Sequence, residues 1–349
     1  MNENSMGQRD RRVRTIADLA RLAGVSPGTV SRALAGKSLV NDDTRRRIQA
    51  LADEHGFRPN QMASRLRTRR TGVIGIVVPL GHERRQHLSD PFFMTMLGHL
   101  ADALTENGYD VMLSRIIPDA EDWLDRVVDS GMVDGVLLIG QSNQYDAIER
   151  VARRYRPLVA WGVMLPDQVH AAVGTDNRAG GRLAGERLIA RGCRRIAFLG
   201  DVSAPEIRQR HDGVAEAIAA AGVAAQLIQL PTHLASDVME QEVSTHIDAL
   251  LERGGGIMPI DGIVAASDMI AMTAVRALAD RSIRVPDDLP VIGYDDLPLA
   301  AQAVPRITTI RQDIAAGAKA MVEALFARIA GSDTGSVILD PELIARDSA

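Results

Sequence analysis

No stretch of this 349-residue chain approaches the ~18–20 consecutive apolar residues that a membrane-spanning helix requires. The first residues, MNENSMGQRDRRVR, are polar and lack the apolar core of a secretory signal. Cysteine occurs once, at Cys193, which excludes an internal disulfide and a cysteine-rich zinc site. These absences predict a cytoplasmic protein with no membrane partner. Enzyme signatures are missing too. There is no Walker-type phosphate loop, no Gly-x-Gly-x-x-Gly after a strand and no Gly-x-Ser-x-Gly elbow. His82-Glu83 and His87 superficially suggest a zinc helix, but a five-residue spacing puts the two imidazoles on different helix faces. We therefore expect no catalytic residue, no metal and no cofactor.

What is present is ordinary in bulk and lopsided in charge. Hydrophobic residues make up 46% and charged residues 24%, and the length calls for two or three folding units. Residues 1–71 hold 15 Lys and Arg against 7 Asp and Glu, a net of +8. The remainder holds 25 against 38, a net of −13. A basic head on an acidic body predicts that only the head meets a polyanion. Charge alone leaves nucleic acid and an anionic membrane surface equally open.

The pattern within the head decides between them. Thr15 can cap a helix with Asp18 three residues on, and Ile16, Leu19, Ala20 and Ala23 share one face. Gly24 stops that helix, and Ser26-Pro27 restarts another as N-cap and first helical residue. Val30, Ala33 and Leu34 then point inward, leaving Pro27, Gly28, Ser31 and Arg32 outward. A third helix starts at Asn41-Asp42-Asp43, carries Ile48, Leu51 and Ala52 inward and ends at Gly56. Two short helices across a tight Gly-containing turn make a helix-turn-helix. A generic three-helix bundle is the plainer alternative. The outward Thr29, Ser31 and Arg32 argue against it, since hydroxyls and Arg are what phosphates and guanine edges require.

The string TIADLARLAGVSPGTVSRAL at 15–34 resembles the signature of the LacI family of repressors. By that resemblance Thr15, Thr29 and Ser31 contact phosphates, while Pro27, Gly28 and Arg32 face base edges, with Ser26 beside them. Gly28 departs from the pattern: with no side chain it contributes little direct readout, which shifts specificity to Arg32 and DNA shape. The segment 58–71 follows as a hinge, with Pro59-Asn60 as start signal and Arg58, Arg65, Arg67, Arg69 and Arg70 along it. The resemblance implies that it folds on operator DNA, where Leu66 wedges into the minor groove beside its symmetry mate; Asn60 and Arg65 join the DNA-binding set.

From Val73 onward, short continuous apolar runs alternate with amphipathic helical stretches, which predicts parallel sheets covered on both faces. DGVLLIG at 134–140 is mirrored by DGIVAAS at 261–267, so two similar doubly wound lobes are expected with ligand at the strand carboxyl ends. The whole resembles the periplasmic sugar-binding fold of LacI-type repressors. The expected layout is a helix-turn-helix domain at 1–57, a hinge at 58–71 and an effector-binding and dimerisation domain at 72–349. Lobe 1 takes about 72–173 and 304–330, lobe 2 about 174–303 and 331–349, with crossings near 172–175, 300–306 and 330–335.

Polar residues at strand ends are the effector candidates. By resemblance Arg210 and Asp295 bind the effector, Ser267 assists, and Trp161, Phe92 or Phe93 stacks on it. Asp176 stands evenly between helix cap and ligand group, Trp161 between core and platform, and Asp268 reads mainly as a helix N-cap. Residues 81–90, GHERRQHLSD, read as a mobile lid. The reading that results is a homodimeric repressor of an inverted-repeat operator, controlled by a small molecule. By the resemblance a sugar is preferred over a purine co-repressor, and the balance of one firm acid with one firm base is a second, weaker reason. A solute-binding protein for uptake is the remaining alternative.

Overall fold

The computed structural model describes residues 13, 15–34, 40–58, 70–81, 84–222 and 224–349 and divides into two units, Met1–Thr71 and Gly72–Ala349. Asn60, Arg65, Leu66 and the His82-Glu83 pair lie outside the described residues, as does most of the expected hinge.

In the first unit α1 (Ile16–Ala23), α2 (Pro27–Leu34) and α3 (Asp42–Glu54) enclose one small core. Thr15 and Asp18 close the expected capping box. Gly24 ends α1 at φ +65°, the left-handed conformation that glycine adopts without a Cβ clash. Val30 and Ala33 of α2 are buried with Leu19, Ala20 and Ile48, as the helical spacing requires. Arg47 of α3 donates to the Ala23 carbonyl at 2.9 Å, which ties α3 to the end of α1.

The second unit contains two six-stranded sheets of one pattern. The first has β1 (Val73–Pro79), β2 (Asp110–Ile116), β3 (Gly135–Ile139), β4 (Leu158–Trp161), β5 (Ala171–Thr175) and β11 (Val337–Leu339), ordered β11-β5-β4-β3-β1-β2 and all parallel. The second has β6 (Arg195–Leu199), β7 (Gln226–Leu230), β8 (Gly262–Ala265), β9 (Val291–Asp295), β10 (Thr308–Arg311) and β12 (Glu342–Ile344), ordered β12-β10-β9-β8-β6-β7. Only β12 runs antiparallel, against β10. The repeat seen in the sequence is therefore a repeat of topology. Strands β3, β4, β5, β8 and β9 are buried along their whole length, because helices cover both faces. Lobe 1 carries α4 (Pro91–Glu106), α5 (Trp123–Val128), α6 (Tyr145–Ala152) and α11 (Ile314–Ile329). Lobe 2 carries α7 (Asn177–Ala190), α8 (Pro205–Ala220), α9 (Ser236–Arg253) and α10 (Asp268–Ala279).

The chain crosses between lobes three times, and all three crossings fall later than expected. The first follows β5, beyond Thr175. The second follows β10, so 304–311 belongs to lobe 2 rather than lobe 1: Thr308 to Arg311 pair with Ile292 to Asp295 of β9. The third follows β11, whose Val337 to Leu339 pair with β5 of lobe 1. β10 carries two threonines, Thr308 and Thr309. Both are fully buried, their hydroxyls donating to the Ala349 carbonyl (3.0 Å) and to Asp268 (2.6 Å).

Candidate DNA-reading face and effector cleft

On the first unit the face expected to read DNA is built as the spacing implied. The Ser26 hydroxyl accepts from the Thr29 amide at 3.2 Å and lies 2.9 Å from the Thr29 hydroxyl, capping α2. Thr15 likewise accepts from the Asp18 amide at 3.1 Å. Pro27, Gly28 and Arg32 are exposed, while Thr29 and Ser31 are half-buried. A Cβ built on Gly28 would lie 3.8 Å from the Arg32 guanidinium, so Arg32 extends over the bare backbone of Gly28. At that distance a methyl at 28 would make ordinary van der Waals contact with the arginine.

In the second unit six of the seven candidate effector residues line one cavity of about 120 Å³ at the carboxyl ends of the strands. They are Phe92, Phe93, Trp161, Arg210, Ser267 and Asp295. Lobe 1 supplies the rings. Phe92 meets Phe93 edge-on at 6.0 Å and Trp161 at 6.3 Å between centroids. Trp161 is both core and wall: it is buried among the lobe 1 side chains, packs on Gly317 and still lines the cavity.

Lobe 2 supplies the polar groups. Arg210 projects from α8, which lies unusually close to α7. A Cβ at Gly181 would overlap the Arg210 carbonyl, and one at Gly213 would overlap the Arg178 carbonyl. The Arg210 Nε donates to Asn177 Oδ1 at 2.8 Å and its Nη1 to the Ala266 carbonyl at 2.5 Å. Its plane stacks 3.7 Å over the Tyr294 ring, and Nη1 stands 3.6 Å from the Asp295 carboxylate. Asp295 ends β9 at φ +112°, a conformation that costs a non-glycine residue of order 1–3 kcal/mol. Gln312, just past β10, donates to its Oδ1 at 2.7 Å. Burial pushes the Asp295 carboxyl up to about 7, opposed by the Arg210 charge and the Gln312 bond.

Two expectations are corrected. Asp176 does not line the cavity: it is exposed and caps α7, accepting from the Ala179 amide at 2.8 Å. Its place one residue past β5 satisfies the helix end instead of the cleft. Asp268 is not the cap of α10. Ser267 is, through the Ile270 amide at 3.2 Å, while Asp268 is wholly buried beneath. It accepts from the Thr309 hydroxyl and from the Leu297 amide at 2.8 Å, pinning the turn after Asp295. Burial, and then the Asp295 charge, hold its carboxyl well above the usual range.

Of the segment read as a lid, residues 84–90 contribute to the cavity wall through Gln86 and Asp90. Arg115 of β2 donates to the Arg84 and Gln86 carbonyls at 2.9 and 3.2 Å. Gln86 is buried, lines the cavity and donates to Asp90 at 2.9 Å. Asp90 caps α4 and also lines the cavity, as do Glu206 and Gln312. Sequence reasoning missed these three acceptors and amides. Glu206 was legible, since it precedes Arg210 by one helical turn on the same face. Gln312 was not, because its strand was unrecognised.

A helix-turn-helix unit joined to a two-lobed α/β unit with a polar cleft at its strand ends defines a DNA-binding regulator gated by a small molecule. Residues 15–60 match the family described as bacterial regulatory proteins, lacI family, and residues 186–349 match the periplasmic binding protein-like domain. The HTH-type transcriptional regulator CelR of Thermobifida fusca is 33% identical over 347 residues, covering 97% of this chain and 99% of its own. The ribose operon repressor of Halalkalibacterium halodurans is 30% identical, covering 86% of each chain. Among solved structures, the lac repressor dimer bound to operator and an anti-inducer superposes with a TM-score of 0.80 at 23% identity over 96% of this chain and 98% of that one, a likeness of fold. A CelR–cellobiose complex superposes with a TM-score of 0.67 at 28% identity over 97% and 100%. The chain belongs to the lacI family of transcription regulators. No helix among the described residues is long and apolar enough to cross a membrane.

Proposed function

We propose that this chain is a cytoplasmic repressor without catalytic activity, which binds an inverted-repeat operator as a homodimer and changes its operator affinity when a sugar occupies the cleft. The observation that carries the effector assignment is the division of labour in the cavity. Aromatic rings on lobe 1 face a guanidinium and carboxyl groups on lobe 2. An aromatic wall covers the apolar face of a pyranose, while Asp295 accepts hydroxyl hydrogen bonds and Arg210 donates. The relatives agree in kind: one is named a ribose operon repressor, and another was solved with cellobiose.

In this reading Thr15, Thr29 and Ser31 hold phosphates, Pro27, Gly28 and Arg32 face base edges with Ser26 beside them, and Asn60, Arg65 and Leu66 act from the hinge. A ligand that closes the lobes changes the footing of the two hinges and so orders or melts them. The test is calorimetry on the full chain with cellobiose, ribose, maltose and sucrose beside a nucleobase panel, followed by operator gel shifts with each binder. A sugar that binds and alters the gel shift supports the proposal. Binding of a nucleobase and of no sugar would replace induction with co-repression by a purine.

A further inference from the structure

The cleft is not balanced in charge, and we infer that it admits uncharged or amine-bearing polyhydroxyl ligands and rejects their phosphorylated or carboxylated counterparts. The inference rests on the sugar reading above and narrows it to a chemical class. Three carboxyl groups line the cavity: Asp90 at the start of α4, Glu206 in the first turn of α8, and Asp295 at the end of β9. Among the described residues that line it, Arg210 is the single cation.

That cation is already committed. Two of its nitrogens donate to Asn177 and to the Ala266 carbonyl, its plane rests on Tyr294, and its nearest carboxylate is Asp295 at 3.6 Å. Asp295 is the carboxyl group nearest Arg210, and Asp90 and Glu206 add two further acids to the lining. The bonds that Asp90 receives are from neutral donors, the Phe92 amide and the Gln86 side chain, each at 2.9 Å. Burial raises the carboxyl groups of both Asp90 and Glu206, opposed at Asp90 by neutral donors and at Glu206 by backbone amides and the Arg210 charge.

Such a lining asks for donors. Hydroxyl groups supply them without charge, and an ammonium supplies them with a compensating charge. A phosphate ester brings acceptors only, plus about two negative charges, into a cleft with no uncommitted cation. At an effective dielectric constant of about 20, one like-charge pair about 6 Å apart is enough to weaken binding about a hundredfold.

The experiment is calorimetry and thermal shift on the full chain with matched probes: glucose, glucosamine, glucose 6-phosphate and glucuronate; ribose and ribose 5-phosphate; cellobiose and cellobionate. The expected result is that the neutral or amino member of a series binds while its anionic counterpart is at least a hundredfold weaker. The Asp90→Asn/Glu206→Gln variant should narrow that gap at least tenfold by gaining affinity for the anionic member. Glu206→Gln alone, at a half-buried position, serves if the double variant does not fold. An anionic probe that binds the parent as tightly as its neutral counterpart would overturn the inference and leave the sugar reading standing. An unchanged gap in the variants would likewise overturn the role of the two acids. Binding of no probe of any kind would overturn the sugar reading and the inference with it.

Discussion

Asp295 is asked to hold a carboxyl group in a buried cleft, and that demand has a measurable consequence for stability. Its ordinary value of 3.8 is pushed up to about 7, by burial first of all. Between those values the native protein keeps a proton that the unfolded chain has lost. Stability therefore falls as pH rises from about 4 to about 7, and the loss is complete above 7. A displacement of some three pH units corresponds to at most about 4 kcal/mol, a ceiling reduced by coupling to the buried Asp268. Asp295→Asn removes the titration and keeps an oxygen for the Gln312 amide.

The assay is urea denaturation of parent and variant from pH 5 to pH 8, followed by tryptophan fluorescence. Both tryptophans, Trp123 and Trp161, lie in the 72–349 unit, so the signal reports that unit and not the DNA-binding head. The variant should gain stability relative to the parent as pH rises, by 1 kcal/mol or more at pH 8. Histidines and the carboxyl groups remote from Asp295 titrate alike in both proteins and cancel in the difference, whereas Asp268, raised in part by the Asp295 charge, contributes to it. Parallel stability curves across this range would refute the argument, since they would mean that Asp295 is ionised in the native cleft at no cost.

Three further outcomes are expected. Gly181→Ala should cost about 1–3 kcal/mol in the same denaturation assay and weaken effector binding, because the new methyl must push away the backbone that carries Arg210; Gly98→Ala, at an exposed site of α4 with open space, should be neutral or stabilising. Thr15→Ala removes one half of the capping box of α1 and should destabilise the head by about 1 kcal/mol, read as weaker operator binding with unchanged calorimetric binding of the effector. Arg32→Ala should relax base preference at one position per half-site at a cost of about 1–3 kcal/mol, measured by competition among operator variants; an equal loss on every sequence would show instead that Arg32 holds phosphate.

Local physics made much of this protein legible in its amino-acid order. Capping, glycine stops and helical spacing act within a few residues, so Thr15, Gly24, Ser26 and the stripe Leu19, Ala23, Val30 and Ala33 could be placed before any coordinate was known. Continuous apolar runs require two covered faces, which makes a parallel sheet readable from one strand at a time. Strand ends then follow, and with them Ser267 and Asp295; Arg210, Phe92 and Phe93 lie in helices and, like the stacking role of Trp161, were implied by the family resemblance.

Tertiary structure decided what depends on partners distant along the chain. Thr308 and Thr309 are buried, with Asp268, 41 residues away from Thr309, and the Ala349 carbonyl accepting their hydroxyls, contacts that local sequence does not record. Asp176 and Asp268 are equally good acids on paper. One faces solvent at a helix cap and the other is sealed beneath the cleft, a difference set by the packing of α10 on β9 and β10. The charge balance of the cleft was decided in the same way. Arg210 and Asp295 are visible from sequence as one base and one acid. Glu206 follows from its place one helical turn before Arg210, but Asp90 joins them only because the two lobes bring the start of α4 to the same cavity, and nothing in the spacing of residues 90, 210 and 295 records that meeting.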